Sequence, residues 1–206
     1  MSLSNYSELQ ASVLEWMERA GQTGQVADWI ALAEARLNRE LGPVETNATL
    51  TGTPGSRALS ISALAMVEPV ALFIADPGAS DERLLPPLSP ANMAYADTTG
   101  TPTNWTVDSP DEIRLNRPCD MAYAFRFRYR ERFALATSAT NWLLTNHPDV
   151  YLAASIVWGN AYNQDIAAAS AWKGILDEAI PSIRHTIART RKGSLKVDPA
   201  LLQMGR

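Results

Sequence analysis

Phe125-Arg126-Phe127-Arg128-Tyr129-Arg130-Glu131-Arg132-Phe133 places aromatic side chains at odd positions and an arginine at every even one. Successive side chains of a strand point to opposite faces, so this period of two predicts a strand with an aromatic face for a core and a row of four guanidiniums on the other side. The strand is read as spanning 121–133, the last of a β-rich antiparallel region covering 44–139. Threonine, valine, proline and glycine rise across that region and turn signals recur at short intervals. Further strands are expected at 45–51, 58–61, 69–75, 104–108 and 112–116. Thr106 to Leu115 is the clearest hairpin, with Ser109-Pro110-Asp111 at its turn. The four prolines from Asp76 to Pro90 predict an irregular loop, and Ser89-Pro90-Ala91-Asn92 a short capped helix over 90–95.

Helices are expected on both sides of this region. Ser4 or Asn5 can cap a first helix carrying Tyr6, Leu9, Val13, Leu14, Trp16 and Met17, ended by Ala20-Gly21. A second presents Trp29, Ile30, Ala33, Leu37 and Leu41 as an apolar stripe, with Glu34, Arg36, Asn38, Arg39 and Glu40 on the remainder, and Gly42-Pro43 stops it. Residues 1–43 thus read as an αα-hairpin that packs with a C-terminal helical pair within 140–190. That pair begins at Pro148, with Asn146 or His147 as cap, and resumes near Asp165 with Trp172, Leu176, Ile180, Ile183 and Ile187 on one face. Pro181 is expected to kink the last helix. Residues 191–206 lack a core-forming pattern and read as an extended or disordered tail. The fold class is α+β.

The 206 residues, 46% of them hydrophobic, suffice for a core, and a net charge of −4 is not the basic footprint of a dedicated nucleic-acid binder. No apolar run approaches the ~20 residues that span a bilayer, and Met1 to Glu8 has neither the basic nor the apolar region of a signal peptide, so a soluble, unexported protein is expected. The single cysteine, Cys119, rules out an intrachain disulfide, and with only His147 and His185 besides, a metal site is not expected. No Gly-x-Ser-x-Gly, phosphate-loop or dinucleotide motif occurs, and the carboxylate pairs Asp81-Glu82 and Asp111-Glu112 lie in loops or turns. Neither an enzyme nor a cofactor is expected.

The row Arg126, Arg128, Arg130 and Arg132 admits three readings: a solvated sheet face paired with Glu131 and nearby acids, a subunit interface, or a phosphate contact. Trp142, in a polar connector from Thr140 to Asn146, either pins that connector or anchors a partner. The tail interleaves Arg191, Lys192 and Lys196 with Leu195, Leu201 and Leu202, a composition suited to ordering on a partner.

The helix Ala31-Leu-Ala-Glu-Ala-Arg-Leu-Asn-Arg-Glu-Leu41, the strand Phe125 to Arg130 and above all Asn141-Trp-Leu-Leu-Thr-Asn-His-Pro-Asp-Val-Tyr-Leu152 resemble the head-to-tail adaptor, or neck, proteins of tailed bacteriophages of the podovirus and siphovirus type. The resemblance spans most of the chain. It implies a structural protein of the virion neck, assembled in the host cytoplasm as a ring of identical copies, commonly twelve. Such a ring sits under the portal protein, extends the DNA channel and presents a platform to the next tail or neck protein. Genomic DNA would pass without sequence-specific contact. The resemblance gives Arg126, Arg128, Arg130, Arg132 and Trp142 to contacts with neighbours or the tail, and Arg191, Lys192, Leu195, Lys196, Leu201 and Leu202 to the portal. The competing reading is a monomeric, non-enzymatic binding module whose arginine face meets an acidic partner.

Overall fold

A computed structural model describes residues 3–76 and 81–191, apart from the side chains of Thr190 and Arg191. In chain order the elements are α1 (Tyr6–Trp16), α2 (Val26–Leu41), β1 (Val44–Thr51), β2 (Ala58–Ser60), β3 (Met66–Ala75), β4 (Glu82–Leu85), a 3-10 turn (Pro90–Asn92), β5 (Trp105–Ser109), β6 (Glu112–Leu115), β7 (Ala124–Glu131), α3 (Trp142–Asn146), α4 (Pro148–Tyr162) and α5 (Ile166–Arg191). The fold is α+β, with every paired strand antiparallel. Two compact units divide the chain, residues 1–9 with 42–146 and residues 10–41 with 147–206.

The first unit is β-rich. One sheet runs in the order β1-β7-β3-β4 and the other β2-β6-β5. Their inward faces share one core, in which Leu59, Leu72, Ile74, Ile113, Phe125 and Phe127 are buried. Trp105 ties the sheets together: its ring meets Phe127 edge-on at 6.0 Å and its indole N–H donates to the Leu85 carbonyl at 2.9 Å. Buried Asn116 holds the chain before β5, its Oδ1 accepting from the Thr103 and Asn104 amides at 2.9 and 3.2 Å.

Several local expectations are corrected. β7 ends at Glu131, so Arg132 and Phe133 lie beyond the strand. β4 occupies part of the span read as loop, because Glu82–Leu85 finds a template in residues 72–75 of β3. Pro90–Asn92 makes only a single 3-10 turn, since the Ser89 side chain makes no capping bond. β3 carries two register shifts, one between Met66 and Glu68 and one between Pro69 and Ala71. Val67 and Val70 are the extra residues, and lacking a cross-strand partner they stay exposed despite being apolar. The shifts also put Glu68 on the arginine face, opposite Arg130.

The second unit is helical. α4 is buried nearly all round from Val150 to Ile156, while α2 and α5 each offer one apolar stripe, that of α5 being Leu176, Ile180, Ile183 and Ile187. Glu34, assigned by its spacing to the polar face of α2, is instead buried, and the Tyr151 hydroxyl of α4 donates to its Oε1 at 3.0 Å. At the other end of α2, Arg36 bonds Glu40 and Asp177, both at 2.6 Å, and Arg184 Nε donates to the Glu40 carbonyl at 3.0 Å. A guanidinium is thereby placed at a helix C-terminus, where the macrodipole favours it.

Helix ends follow from local chemistry. Asn5 Oδ1 accepts the Glu8 amide at 3.0 Å at the start of α1. That helix stops earlier than Ala20-Gly21: Glu18 takes a left-handed φ of 54°, and the Arg19 and Glu18 amides close back on the Leu14 and Glu15 carbonyls. The same closure ends α4 with Gln164 at φ 60°, whereupon Asp165 Oδ1 caps α5 by accepting the Ala168 amide at 3.0 Å. Asn141 caps α3 through the Leu144 amide at 3.0 Å, so the stretch read as a polar connector is itself helical. α5 continues past Pro181 and through Arg191, the residue at which the tail was expected to begin.

At Gly52 a Cβ would lie 2.8 Å from Phe125 Cε2 and 3.1 Å from Cys119 Sγ, both in the core. Gly52→Ala is therefore expected to destabilise the fold by about 1–3 kcal/mol, read as a lower urea midpoint. Tyr151→Phe removes a donor from the buried Glu34 carboxylate and is expected to cost about 1.5–3 kcal/mol by the same measurement.

Candidate assembly surfaces

β7 lies between β1 and β3, so its side chains meet neighbours on both flanks. Phe125, Phe127 and Tyr129 are buried, with Phe127 and Tyr129 stacked at 5.3 Å. On the opposite face each strand arginine meets a glutamate from another strand. Arg128 pairs with Glu45 of β1, and Arg130 with Glu68 of β3 at 2.5 Å. Arg126 reaches across β3, its guanidinium 4.0 Å from the Phe73 ring centre, to bond Glu82 of β4 at 2.5 and 2.6 Å. Arg132, past the strand end, is exposed, and its amide donates to the Ala65 carbonyl at 3.0 Å.

Glu131 does not serve this row. It follows the aromatic parity of the strand, half-buried in a cavity of about 60 Å³ lined also by Leu64, Tyr129, Thr137 and Asn141. The Tyr129 hydroxyl donates to Glu131 Oε2 at 3.3 Å. Burial raises the carboxyl above the usual range, the hydrogen bond opposing it, and burial with the adjacent carboxylate pushes the phenol up to about 12.

Trp142 opens α3 and is half-buried, whereas Leu143 and Leu144 are fully buried. Arg191 closes α5; Lys192, Leu195, Lys196, Leu201 and Leu202 lie outside the described residues. His147 holds the N-cap position of α4 without a side-chain capping bond, and His185 is exposed on α5. Among the described residues no three His, Cys, Asp or Glu side chains cluster as a metal site would need, and no helix is long and apolar enough to cross a membrane.

Two concavities complete the picture. In the β-rich unit a polar pocket of about 690 Å³ is lined by Arg57, Tyr95, Asp97, Glu112 and Arg114, but Arg57 pairs with Asp97 at 2.8 Å and Arg114 with Asp108 at 3.0 Å. In the helical unit a groove of about 450 Å³ between α2 and α4 is lined by Asp28, Trp29, Leu32, Trp158, Ala161 and Tyr162. Leu32 and Tyr162 are 46% and 59% exposed, and the Trp158 indole N–H is buried with no acceptor among the described residues. The helical wheel treats Trp158 as core, and only the packing of α2 against α4 shows that it borders a groove.

A comparison with family models matches residues 4–198 to the SU10 adaptor protein family. The chain belongs to that family. It is thus a phage adaptor protein, of a family that joins head to tail. A search of curated proteins finds no match to the adaptor.

In the adaptor, the raised Glu131 carboxyl sets a pH dependence. The folded state holds the Glu131 proton more tightly than the unfolded chain does. The stability this contributes is therefore full below the ordinary carboxyl range, near pH 4, and lost as pH rises through the folded value. Glu131→Gln is expected to raise Tm at pH 7 and to leave it close to wild type at pH 4, checked by thermal melts at both.

Proposed function

We propose that this adaptor assembles as a ring of identical copies beneath the portal, extends the DNA channel and offers a platform to the next tail or neck protein. The observation that carries the reading is the family match over residues 4–198. A ring of one protein needs two different surfaces per copy, joined heterologously and closed by rotation. The paired face of β7 and the exposed apolar side chains of the helical unit are two such surfaces. Arg126, Arg128, Arg130, Arg132 and, in the same unit, Trp142 contact a neighbour or the tail. The segment that starts at Arg191 and Lys192 and continues through Leu195, Lys196, Leu201 and Leu202 reaches the portal.

Intrachain pairing bears on the form of these contacts. Exposed pairs are worth only about 0.2–1 kcal/mol each, so an arginine can exchange its glutamate for a neighbour's carboxylate at little cost. Neutralisation weighs against a monomeric module attracting an acidic partner, because Glu45, Glu68 and Glu82 cancel the positive field such a partner would feel. A net charge of −4 likewise disfavours adhesion of genomic DNA, which passes without sequence-specific contact. No catalytic role is assigned.

Electron micrographs of the purified protein with its portal are expected to show a closed ring; protein that stays monomeric there, by microscopy and light scattering, removes the reading. Reversing Arg128 and Arg130 to glutamate is expected to abolish ring formation with only a small loss of Tm. Reversing Glu45 and Glu68 to arginine as well restores the intrachain pairs and the Tm, but not the ring. Full recovery of the ring in that four-site variant would make the row purely structural.

A further inference from the structure

We infer that the α2–α4 groove is a docking site for residues 193–206 of a neighbouring copy, with the Leu201-Leu202 pair seated between Trp29, Leu32 and Tyr162; the inference rests on the ring reading above and moves Leu195, Lys196, Leu201 and Leu202 from the portal to that neighbour, leaving Arg191 and Lys192 toward the portal. The groove is apolar and aromatic, and among the described residues Asp28 is the one charged residue lining it. A matching occupant must bring apolar side chains and a cation.

The sequence after α5 carries that combination. Leu195, Val197, Leu201, Leu202 and Met204 are apolar, and Lys196 and Arg206 flank the leucine pair with positive charge. Reach then decides between this copy and another. The groove lies at the C-terminal end of α4, where α5 begins, whereas the tail departs from the far end of the 26-residue α5, ~39 Å away at 1.5 Å per residue. Leu201 is ten residues beyond Arg191, at most ~36 Å of fully extended chain. A return to its own groove leaves no slack for reversing direction. A neighbouring copy in a ring can offer its groove without that reversal, and each copy then carries both halves of the contact.

The test has two arms. A fluorescein-labelled peptide of residues 193–206 is titrated with full-length protein and followed by anisotropy. Saturable binding that weakens at least tenfold in Leu32→Glu and in Tyr162→Ala, with unchanged circular dichroism, is expected. Absence of saturable binding, or equal affinity in both variants, overturns the inference. In the second arm, full-length Leu32→Cys and full-length Leu201→Cys chains are mixed with portal and oxidised, beside a full-length chain carrying both substitutions. A mixed disulfide dimer is expected; a bond that forms only within a chain carrying both substitutions returns the segment to its own groove and overturns the assignment to a neighbour. Micrographs of the same mixtures separate the two readings: a ring without peptide binding sinks only the groove, and peptide binding without a ring sinks only the ring.

Discussion

A central strand with arginine at every second position sets like charges along one face, and its neighbours relieve their repulsion by supplying counter-charge. β7 sits between β1 and β3, with β4 one strand further out, and takes a glutamate from each of the three. Much of the β-rich unit follows. β3 must shift register to bring Glu68 to the cationic face, and β4 must form to bring Glu82 within reach of Arg126. The aromatic face, freed from any charge but Glu131, packs against Trp105 and the second sheet.

The helical unit solves a different problem, that of turning a chain sharply without exposing helix ends. Glu18 and Gln164 accept left-handed backbone where glycine is usual; after Gln164 the chain enters α5 within two residues, whereas after Glu18 a seven-residue connection leads to α2. Between them α4 is nearly all buried, and Gly159 lets it approach α2, since a Cβ there would lie 3.0 Å from the Trp29 ring. That closeness helps shape the groove that Trp29 and Trp158 line.

The parts of this structure legible in the sequence were those with a local period. Phe125 to Tyr129 announced their faces by alternation, and Leu176 to Ile187 by helical spacing. What escaped depended on partners distant in the chain. Glu82–Leu85 has no period of its own and is a strand only because β3 templates it. Glu34 stands at a polar-looking position and is buried because Tyr151, 117 residues away, gives it a hydrogen bond. The arginine row was visible, but its partners were not, because Glu45, Glu68 and Glu82 are assigned by register and bulges rather than by proximity. The α2–α4 groove left no signal, since tryptophans at helical spacing look the same in a core and at its border.

Gly52 is small because Cys119 and Phe125 occupy the space its side chain would take. The thiol is wholly inaccessible, and burial pushes its pKa upward, away from the reactive thiolate. An oxygen atom added to that sulfur would face the same crowding as a methyl group on Gly52. The one sulfhydryl of the chain is thus shielded from oxidants by lack of room.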